Sequence, residues 1–541
     1  MLSARLNRTH VSPAEGRRRA GVYQSLQYLG VGLVCGALVA FSIPPFGFWL
    51  LAWLGFAGLA AFLPGRSMAE KALLGFGAGL GQFAIGLAWV SEFSIPGCVA
   101  LIVVSAIFVC AAVLIVPSRG WASVVVGLPA AFVLSDWLRA RFPLGGFPLG
   151  GVALGQALSP TVPAVRLGGG LLLTGETVLV GVLLAQVFRS ALALRGPSSV
   201  AGPELSSRTL LKDAIGVVAI AAIAVAIPIA GWLSPSGSGV HHSTLRVALV
   251  QGGGERGTRA IHTDPEVVFQ RHLSAAAGIH PPVDLVVMPE GILQTDQAFT
   301  STVDADQIVA LAERLDSTVI AGVEQDVGSK HYLNEVAAWS SSGSVVSVYL
   351  KNHRVPFGEY IPWRSFISRF FNVSEVPLDA IAGHSPGYMT TPAAPLGVMI
   401  SYEVFFDERA RGGVQGGGQV LVVPTNTASY RSSQVPTQEL AAARLRAWET
   451  GRWVLQVTPT GYTAVITPSG KVVVRSALGH RAVVQAVVQR ETGRTVYVDI
   501  GDSAFAIGAL LLLLGSALLA QPRWPGSDLP RGVRRHSGSR V

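Results

Sequence analysis

Charge and cysteine are both scarce in this sequence. Only 13% of its 541 residues are charged, compared with about 25% in typical soluble domains. The mean hydropathy of +0.47 is too high for a soluble globular protein, and several apolar runs are long enough to cross a bilayer. The three cysteines, Cys35, Cys98 and Cys110, all lie in apolar segments in the first part of the chain. The rest of the sequence therefore has no cysteine for a disulfide framework or a cysteine-based zinc site.

The formal net charge of +9 does not indicate a nucleic-acid partner. The basic residues gather at the two termini and in short loops between apolar runs, as the positive-inside rule describes for membrane proteins. Counting them loop by loop predicts that both termini are cytoplasmic and that a large domain before the last span is extracytoplasmic. The loop after the fifth run, which contains Arg139 and Arg141, is the exception to this pattern.

Composition divides the chain into a membrane part and one large polar domain. In that domain short β-branched runs alternate with helical stretches and then follow one another closely, which predicts a two-layer α/β sandwich. The predicted segments are a basic tail at 1–24, a membrane domain of about seven spans at 25–234, a turn-rich linker at 235–244, the extracytoplasmic domain at 245–500, a last span at 501–522 and a second basic tail at 523–541.

Polar and glycine-rich backbone follows the fifth apolar run. Asp136 and Arg139 precede Gly-Gly-Phe-Pro at residues 145–148. Irregular backbone at membrane depth persists only where it is buried in protein or lines a polar cavity. The stretch is consistent with such a cavity and equally with a simple re-entrant connection.

Three kinds of polar side chain stand at the ends of apolar strands in the large domain. The apolar run 396–400 stops at Ser401, the pattern of a strand that delivers a nucleophile into a sharp turn. Another strand ends at Glu290, and a turn beyond a third carries Lys351 and Glu359. A carboxylate can move protons and an ammonium can stabilise an oxyanion. Each residue alone is more often a surface charge or part of an ion pair, so the prediction depends on the combination.

Aromatic residues recur with helical spacing directly after this turn. Arginines and serines occupy the other face of the stretch, which favours an amphipathic helix in the plane of a membrane interface. A helix packed on the domain core would give the same spacing, but its place in a membrane-tethered domain favours the interface. The predicted membrane-interface lid consists of Trp363, Phe366, Ile367, Phe370 and Phe371.

Several motifs extend over nearly the whole chain. They include Pro-Pro-Phe-Gly at 44–47, Met-Pro-Glu at 288–290, Val-Pro-Phe-Gly-Glu-Tyr-Ile-Pro at 355–362 after Lys351, and Ile-Ser-Tyr-Glu at 400–403. Together they resemble the motifs of the bacterial apolipoprotein N-acyltransferases, which belong to the nitrilase-like carbon–nitrogen hydrolase superfamily. The resemblance implies a polytopic α-helical membrane domain of about eight spans and a nitrilase-like α-β-β-α sandwich. It places the protein in the bacterial cell membrane, with the catalytic domain outside the cytoplasm.

The resemblance also implies a reaction. A phospholipid would donate a fatty acyl chain to an enzyme nucleophile, and the N-terminal amino group of a diacylglyceryl-cysteine apolipoprotein would accept it. No cofactor and no metal ion are implied, and a monomer in the lipid bilayer is expected. Residue by residue, the implied roles are general base for Glu290, oxyanion stabiliser for Lys351, nucleophile for Ser401, support of the first two for Glu359, shaping of the pocket for Tyr402 and Glu403, and a structural role for Asn334.

Two departures from the family pattern bear on activity. The family nucleophile is a cysteine, and this chain has Ser401 there. A thiol with a pKa near ~8.5 forms a thiolate readily beside a positive charge, whereas a hydroxyl depends on an adjacent base. The second departure is Thr-Asn-Thr-Ala-Ser-Tyr at residues 425–430, where the family usually has Asn-Asp-Ala-Trp-Phe beside the acyl site.

The sequence leaves four hypotheses about function. The leading one is an acyltransferase that forms an ester on Ser401. The second is a catalytically weak or inactive paralogue that binds lipid or lipoprotein, or assists an active partner. An engineered serine that traps a complex and a membrane-tethered amidase of small molecules are the remaining two, and the eight predicted spans argue against the amidase.

Overall fold

The computed structural model describes residues 13–195, 203–239, 243–257, 260, 262–370 and 372–520. Residues 1–12 of the predicted N-terminal tail, 240–242 of the predicted linker, the predicted tail at 523–541 and Phe371 lie outside the described residues. The first helix spans Pro13–Ser42, so it reaches into the stretch that the sequence assigned to the N-terminal tail.

Helices form the membrane part and the outer layers of the large domain. In chain order they are α1 (Pro13–Ser42), α2 (Leu50–Phe62), α3 (Met68–Gly86), α4 (Ile95–Ile115), α5 (Trp121–Arg139), α6 (Val152–Gly155), α7 (Val165–Arg195), α8 (Pro203–Leu233), α9 (Pro265–Ala276), α10 (Val303–Leu315), α11 (Arg364–Ile367), α12 (Asp407–Gln415), α13 (Gln434–Thr450), α14 (Val496–Ile500) and α15 (Asp502–Leu519).

The strands form two sheets. In the first sheet the order is β14-β1-β2-β4-β5-β6, with β3 paired to β4 and β7 paired to β5; in the second it is β13-β12-β11-β10-β9-β8. The strands are β1 (Ser243–Gln251), β2 (Leu285–Val287), β3 (Leu293–Thr295), β4 (Thr318–Val327), β5 (His331–Trp339), β6 (Val345–Leu350), β7 (Asp379–Ala380), β8 (Tyr388–Thr390), β9 (Pro395–Val398), β10 (Val420–Pro424), β11 (Val454–Val457), β12 (Ala464–Ile466), β13 (Val472–Arg475) and β14 (Ala482–Arg490).

The two sheets pack face to face between two helical layers. Buried side chains of both sheets, such as Val287 and Val398, share one apolar cluster. Phe269 of α9 and Ile308 of α10 cover the outer face of the first sheet, and Leu445 of α13 belongs to the cluster on the outer face of the second. The burial of both faces explains the continuous apolar runs in the central strands. This arrangement confirms the α-β-β-α sandwich.

Each of the eight predicted spans coincides with a helix. Helix α2 has 13 residues and is therefore about 20 Å long, less than the ~30 Å apolar thickness of a bilayer. The count of eight spans thus remains a prediction, although the membrane class is confirmed. Within the described residues, six helices are long and apolar enough to cross a membrane: Tyr23–Ser42, Ile95–Ile115, Trp121–Arg139, Val162–Leu192, Leu211–Leu233 and Asp502–Leu519.

Glycines let α1 and α3 approach each other closely. A Cβ atom on Gly36 would lie 1.8 Å from the carbonyl oxygen of Ala78, and one on Gly81 would lie 2.2 Å from that of Leu33. Small residues at helix contacts are typical of membrane proteins, in which close packing replaces the hydrophobic driving force. The high glycine content of this part of the sequence therefore serves helix packing.

Polar contacts and a shared core join the membrane helices to the α/β domain. One buried apolar cluster runs from the membrane helices into α13. The backbone N–H of Gly170 in α7 donates to Asp407 Oδ2 at 3.0 Å. Arg141, which follows α5, pairs with Glu408 of α12 at 3.5 Å. The α/β domain is therefore docked on the membrane helices rather than tethered only by its ends.

Candidate active site

A buried lysine lies between two carboxylates. Lys351, directly after β6, directs Nζ to Glu290 Oε1 at 2.7 Å and to Glu359 Oε1 at 2.5 Å. The lysine side chain is 1% exposed. Burial lowers the pKa of Lys351, but the charges of Glu290 and Glu359 outweigh that effect and raise it above its usual value. The side chain therefore remains an ammonium ion.

Asn334 completes this cluster. Its Nδ2 donates to Glu290 Oε1 at 2.9 Å and to Glu359 Oε1 at 3.4 Å. The second oxygen of Glu359 accepts from the backbone N–H of Val355 at 2.9 Å. The structure thus brings together four residues that the sequence analysis selected: Glu290 and Lys351 follow strand ends, Asn334 lies within β5, and Glu359 lies in a turn. Burial raises the pKa of Glu359, and the neighbouring charge of Glu290 raises it further.

A third carboxylate, which the sequence analysis missed, lies beside this cluster. Glu324 is on β4, and a Cβ on Gly291 would be 2.7 Å from its Oε1. Burial raises the pKa of Glu324 to about 8, with the charges of Glu290 and Glu359 adding to the effect. Three acids around one ammonium favour a shared proton, because all four groups in their charged forms would leave an excess of negative charge. The sequence signal that could have identified Glu324 was its position directly after the apolar part of a strand.

Ser401 lies in a strained turn. Its φ is +48°, a left-handed conformation that is uncommon for residues other than glycine, and it opens a short 3₁₀ helix, Ser401–Phe405. Strands β9 and β10 are parallel, with Val398 opposite Val422. The same register places Thr425 beside Ser401, and their hydroxyl oxygens are 3.1 Å apart. The predicted strand end and sharp turn are both present.

Glu403 fastens this turn to the turn that follows Lys351. The carboxylate is fully buried. It accepts the backbone N–H of Ile400 at 2.8 Å, that of Asn352 at 2.8 Å and the hydroxyl of Tyr349 at 2.9 Å. Glu403 thereby holds the neighbours of Ser401 and Lys351 in one network.

Tyr402 connects the turn to the membrane domain. Its hydroxyl donates to the carbonyl of Gly146 at 3.0 Å, in the glycine-rich stretch after α5. Arg139 supports that stretch, because its guanidinium donates to the carbonyls of Phe147 at 2.6 Å and Leu149 at 2.8 Å. The irregular backbone noticed in the sequence is therefore packed in protein against the Ser401 turn.

The divergent loop 425–430 is also docked on the membrane domain. The ring of Tyr430 packs against Trp89 and Phe93, with centroids 5.2 and 5.4 Å away. The carboxylate of Glu92 accepts the backbone N–H of Arg431 at 2.8 Å. Burial raises the pKa of Tyr430, and the charges of several site carboxylates add to this effect. The loop therefore borders the site and the membrane helices at once.

The predicted lid helix is much shorter than expected. Only the single turn α11 (Arg364–Ile367) is helical, and residues 368–370 form a turn. Trp363 stands before it with a φ of +46°, and a left-handed residue interrupts a helix. The aromatic face is nevertheless exposed: Trp363 by 70%, Phe366 by 58% and Phe370 by 67%, with Ile367 intermediate. Exposure of three large aromatic side chains disfavours the alternative of a helix packed on the domain core.

Family comparisons agree with this architecture. Residues 246–497 match the carbon-nitrogen hydrolase family, and residues 35–183 match the apolipoprotein N-acyltransferase N-terminal domain. The chain belongs to the apolipoprotein N-acyltransferase family of the carbon–nitrogen hydrolase superfamily. This membership, together with the apolar helices, identifies a bacterial membrane protein of an acyltransferase family.

Similar proteins resemble the chain over most of its length. The apolipoprotein N-acyltransferase of Methylococcus capsulatus is 27% identical over 506 residues, which cover 87% of this chain and 92% of that protein. The one from Mycolicibacterium smegmatis is 27% identical, with 96% and 89% covered. The one from Agrobacterium fabrum is 28% identical, with 85% and 89% covered. The resemblance therefore includes both the membrane helices and the α/β domain.

Proposed function

We propose that this protein transfers a fatty acyl chain from a membrane phospholipid to the N-terminal amino group of diacylglyceryl-cysteine apolipoproteins. The observation that carries the proposal is the buried network in which Glu403 joins the Ser401 turn to the Lys351 turn, with Glu290 and Glu359 on the lysine. The network supports the proposal because acyl transfer through a covalent intermediate needs a nucleophile, an ammonium and a carboxylate near one another.

In the first half-reaction, Ser401 Oγ attacks the ester carbonyl of a phospholipid. The ammonium of Lys351 stabilises the oxyanion of the tetrahedral intermediate, because a buried fixed charge acts strongly on charge that develops in the transition state. Collapse of the intermediate breaks the ester bond and leaves a lysophospholipid and an acyl ester on Ser401. Glu290 moves protons to and from the reacting oxygens as the general acid–base.

In the second half-reaction, the amino group of the apolipoprotein attacks the ester on Ser401. Glu290 removes a proton from the amine, an amide bond forms, and the serine oxygen leaves. Glu359 and Asn334 support Glu290 and Lys351, whereas Tyr402 and Glu403 position the nucleophile turn. An ester intermediate is less reactive than a thioester, so we expect slower turnover than with cysteine at this position.

The proposed orientation puts residues 245–500 outside the cytoplasm and both termini inside. The distribution of basic residues between the apolar runs supports this topology. The exposed aromatic residues Trp363, Phe366 and Phe370 suit a membrane interface. They would face the leaflet that supplies the phospholipid.

Intact-protein mass spectrometry of detergent-purified protein incubated with phospholipid tests the proposal. The parent protein should gain the mass of a fatty acyl group, and Ser401→Ala should not. Gain by Ser401→Cys alone would mean that the pocket works but serine disables it, in favour of the binding paralogue or a trapped variant. Absence of the increment from all three proteins would reject acyl transfer.

A further inference from the structure

The hydroxyl of Ser401 belongs to a chain of hydrogen bonds that does not include Glu290. Its Oγ lies 3.1 Å from Thr425 Oγ1, and Thr425 Oγ1 lies 2.7 Å from Glu439 Oε1. Within the described residues, Ser401 Oγ has no other hydrogen-bond partner. The chain therefore leads from the proposed nucleophile to a carboxylate on α13.

The two partners of Ser401 are shielded from solvent. Thr425 is fully buried and Glu439 is 3% exposed. In the structure Thr425 Oγ1 is placed to donate to Ser401 Oγ and to Glu439 Oε1. Its hydroxyl has a single proton, so Thr425 accepts from Ser401 only when that proton points to Glu439. Glu290 Oε1 accepts from Lys351 and Asn334, and among the described residues no hydrogen bond joins Glu290 to Ser401.

We propose that Thr425 and Glu439 form a proton relay that activates Ser401. This inference rests on the proposed acyl transfer and assigns the serine proton to a second carboxylate. Thr425 acts on the reacting oxygen directly, and Glu439 is the positioning residue that receives the proton through it. A hydroxyl nucleophile needs an adjacent base more than a thiol does, so the relay supplies what the replacement of cysteine removes.

The proton balance closes over the two half-reactions. In acylation, the proton of Ser401 passes to Thr425 while the proton of Thr425 passes to Glu439. Glu290 gives the lysophospholipid oxygen the proton that it shares with Glu359 and Glu324. In transfer, Glu290 regains a proton from the attacking amine. Glu439 returns its proton through Thr425 to the departing oxygen of Ser401. Both carboxylates then have their starting charge.

The electrostatic surroundings of Glu439 give the relay a pH dependence. Burial raises the pKa of Glu439 to about 8, the charge of Glu290 adds to this, and the bond from Thr425 and the charge of Lys351 oppose it. Tyr430 also faces this carboxylate. Because the relay needs the ionised form, acyl-enzyme formation should rise with pH up to about 8.

The test compares matched variants in two backgrounds. Thr425→Val keeps the shape of the side chain and removes its hydroxyl, Thr425→Ser restores a hydroxyl, and Glu439→Gln removes the acceptor. Each is made with Ser401 and with Ser401→Cys, purified as the full chain in detergent and incubated with phospholipid vesicles. The rate of acyl-enzyme formation is followed by mass spectrometry between pH 6 and pH 9, and a thermal midpoint verifies folding.

With Ser401 present, Thr425→Val should slow acylation by roughly 100-fold or more, the usual size of a general-base effect. Thr425→Ser should stay near the parent rate, and Glu439→Gln should be slow and should lose the rise with pH. In the Ser401→Cys background the same changes should cost less than about tenfold, because a thiol ionises without the relay.

Equal losses in both backgrounds would mean that Thr425 and Glu439 only hold the fold of the turn, and the relay would be rejected. An unchanged rate in folded Thr425→Val would reject it as well. Acylation of neither the Ser401 nor the Ser401→Cys protein would instead reject the proposed function, and the relay with it.

Discussion

The carboxylate of Glu403 accepts the backbone N–H of Asn352 at 2.8 Å. Asn352 follows Lys351 at the end of β6, and Glu403 lies in the turn that begins at Ser401. The bond therefore fixes the distance between the end of a strand in the first sheet and the end of a strand in the second. Arg409 Nε, 3.7 Å from Glu403, is a weakly placed counter-ion, so backbone and hydroxyl donors carry most of the stabilisation of this buried charge.

Glu403→Ala should abolish acyl-enzyme formation and lower the thermal midpoint. The change leaves the N–H groups of Ile400 and Asn352 without their buried acceptor, and each such group costs about 1–3 kcal/mol. Differential scanning fluorimetry and acyl-enzyme mass spectrometry would measure the two effects. Glu375→Ala, at an exposed glutamate, is the matched control. A fully active Glu403→Ala protein would contradict the positioning role.

Arg139→Ala should slow acylation by roughly 10- to 100-fold, since small displacements of a catalytic group are costly. The guanidinium holds the carbonyls of Phe147 and Leu149, and the same stretch accepts the hydroxyl of Tyr402 next to the nucleophile. Steady-state acylation rates would measure the effect, and Arg119→Ala at an exposed arginine provides the control. Equal rates for the two variants would mean that the glycine-rich stretch after α5 does not position the Ser401 turn.

Glu439 should make the protein less stable at alkaline pH. Its pKa is raised to about 8 in the folded state from an ordinary value of 4.5, so folding favours the protonated form. This contribution is fully present below about 4.5 and is lost as the pH rises through about 8. Thermal midpoints of Glu439→Gln and the parent should therefore be similar at pH 5, and the variant should be several degrees more stable at pH 9. A difference in thermal midpoint that stays constant across this pH range would show that the pKa of Glu439 is the same in the folded and unfolded protein.

The sequence predicted the residues of the site better than their connections. Strand ends and a distinctive motif marked Glu290, Lys351 and Glu359, and the family resemblance supplied Asn334. In the structure both glutamates contact Lys351, and Asn334 donates to Glu290. Glu439 was missed, since an acid inside a helical stretch looks like a surface charge until the helix is placed on the sheet. Its contact with Thr425 depends on tertiary packing that no local pattern encodes.

In the fold, too, local patterns predicted single elements but not how distant elements pack. The central strands were predicted because burial on both faces makes them continuously apolar, as in β10, where all five residues are buried. The pairing of β14 with β1 joins two distant parts of the chain, and no local sequence pattern encodes it. Helical spacing over residues 363–371 was overinterpreted, because the left-handed conformation of Trp363 cannot be read from spacing.

The exposed aromatic residues provide the last prediction. A variant with Trp363→Ala, Phe366→Ala and Phe370→Ala should acylate at least about tenfold more slowly with phospholipid in vesicles, because amphipathic aromatic side chains anchor a surface in the membrane interface. Its rate with a soluble short-chain ester should be unchanged, since these side chains lie on the surface rather than in the network around Lys351.

Val303→Ala, at an apolar side chain of α10 that is 72% exposed, controls for the loss of exposed apolar area elsewhere. Equal slowing of the aromatic variant with both substrates would indicate that the aromatic residues support the domain fold. An unchanged rate with vesicles would exclude the membrane-interface role. Slowing confined to vesicles, absent from Val303→Ala, would place this surface on the route by which the phospholipid reaches Ser401.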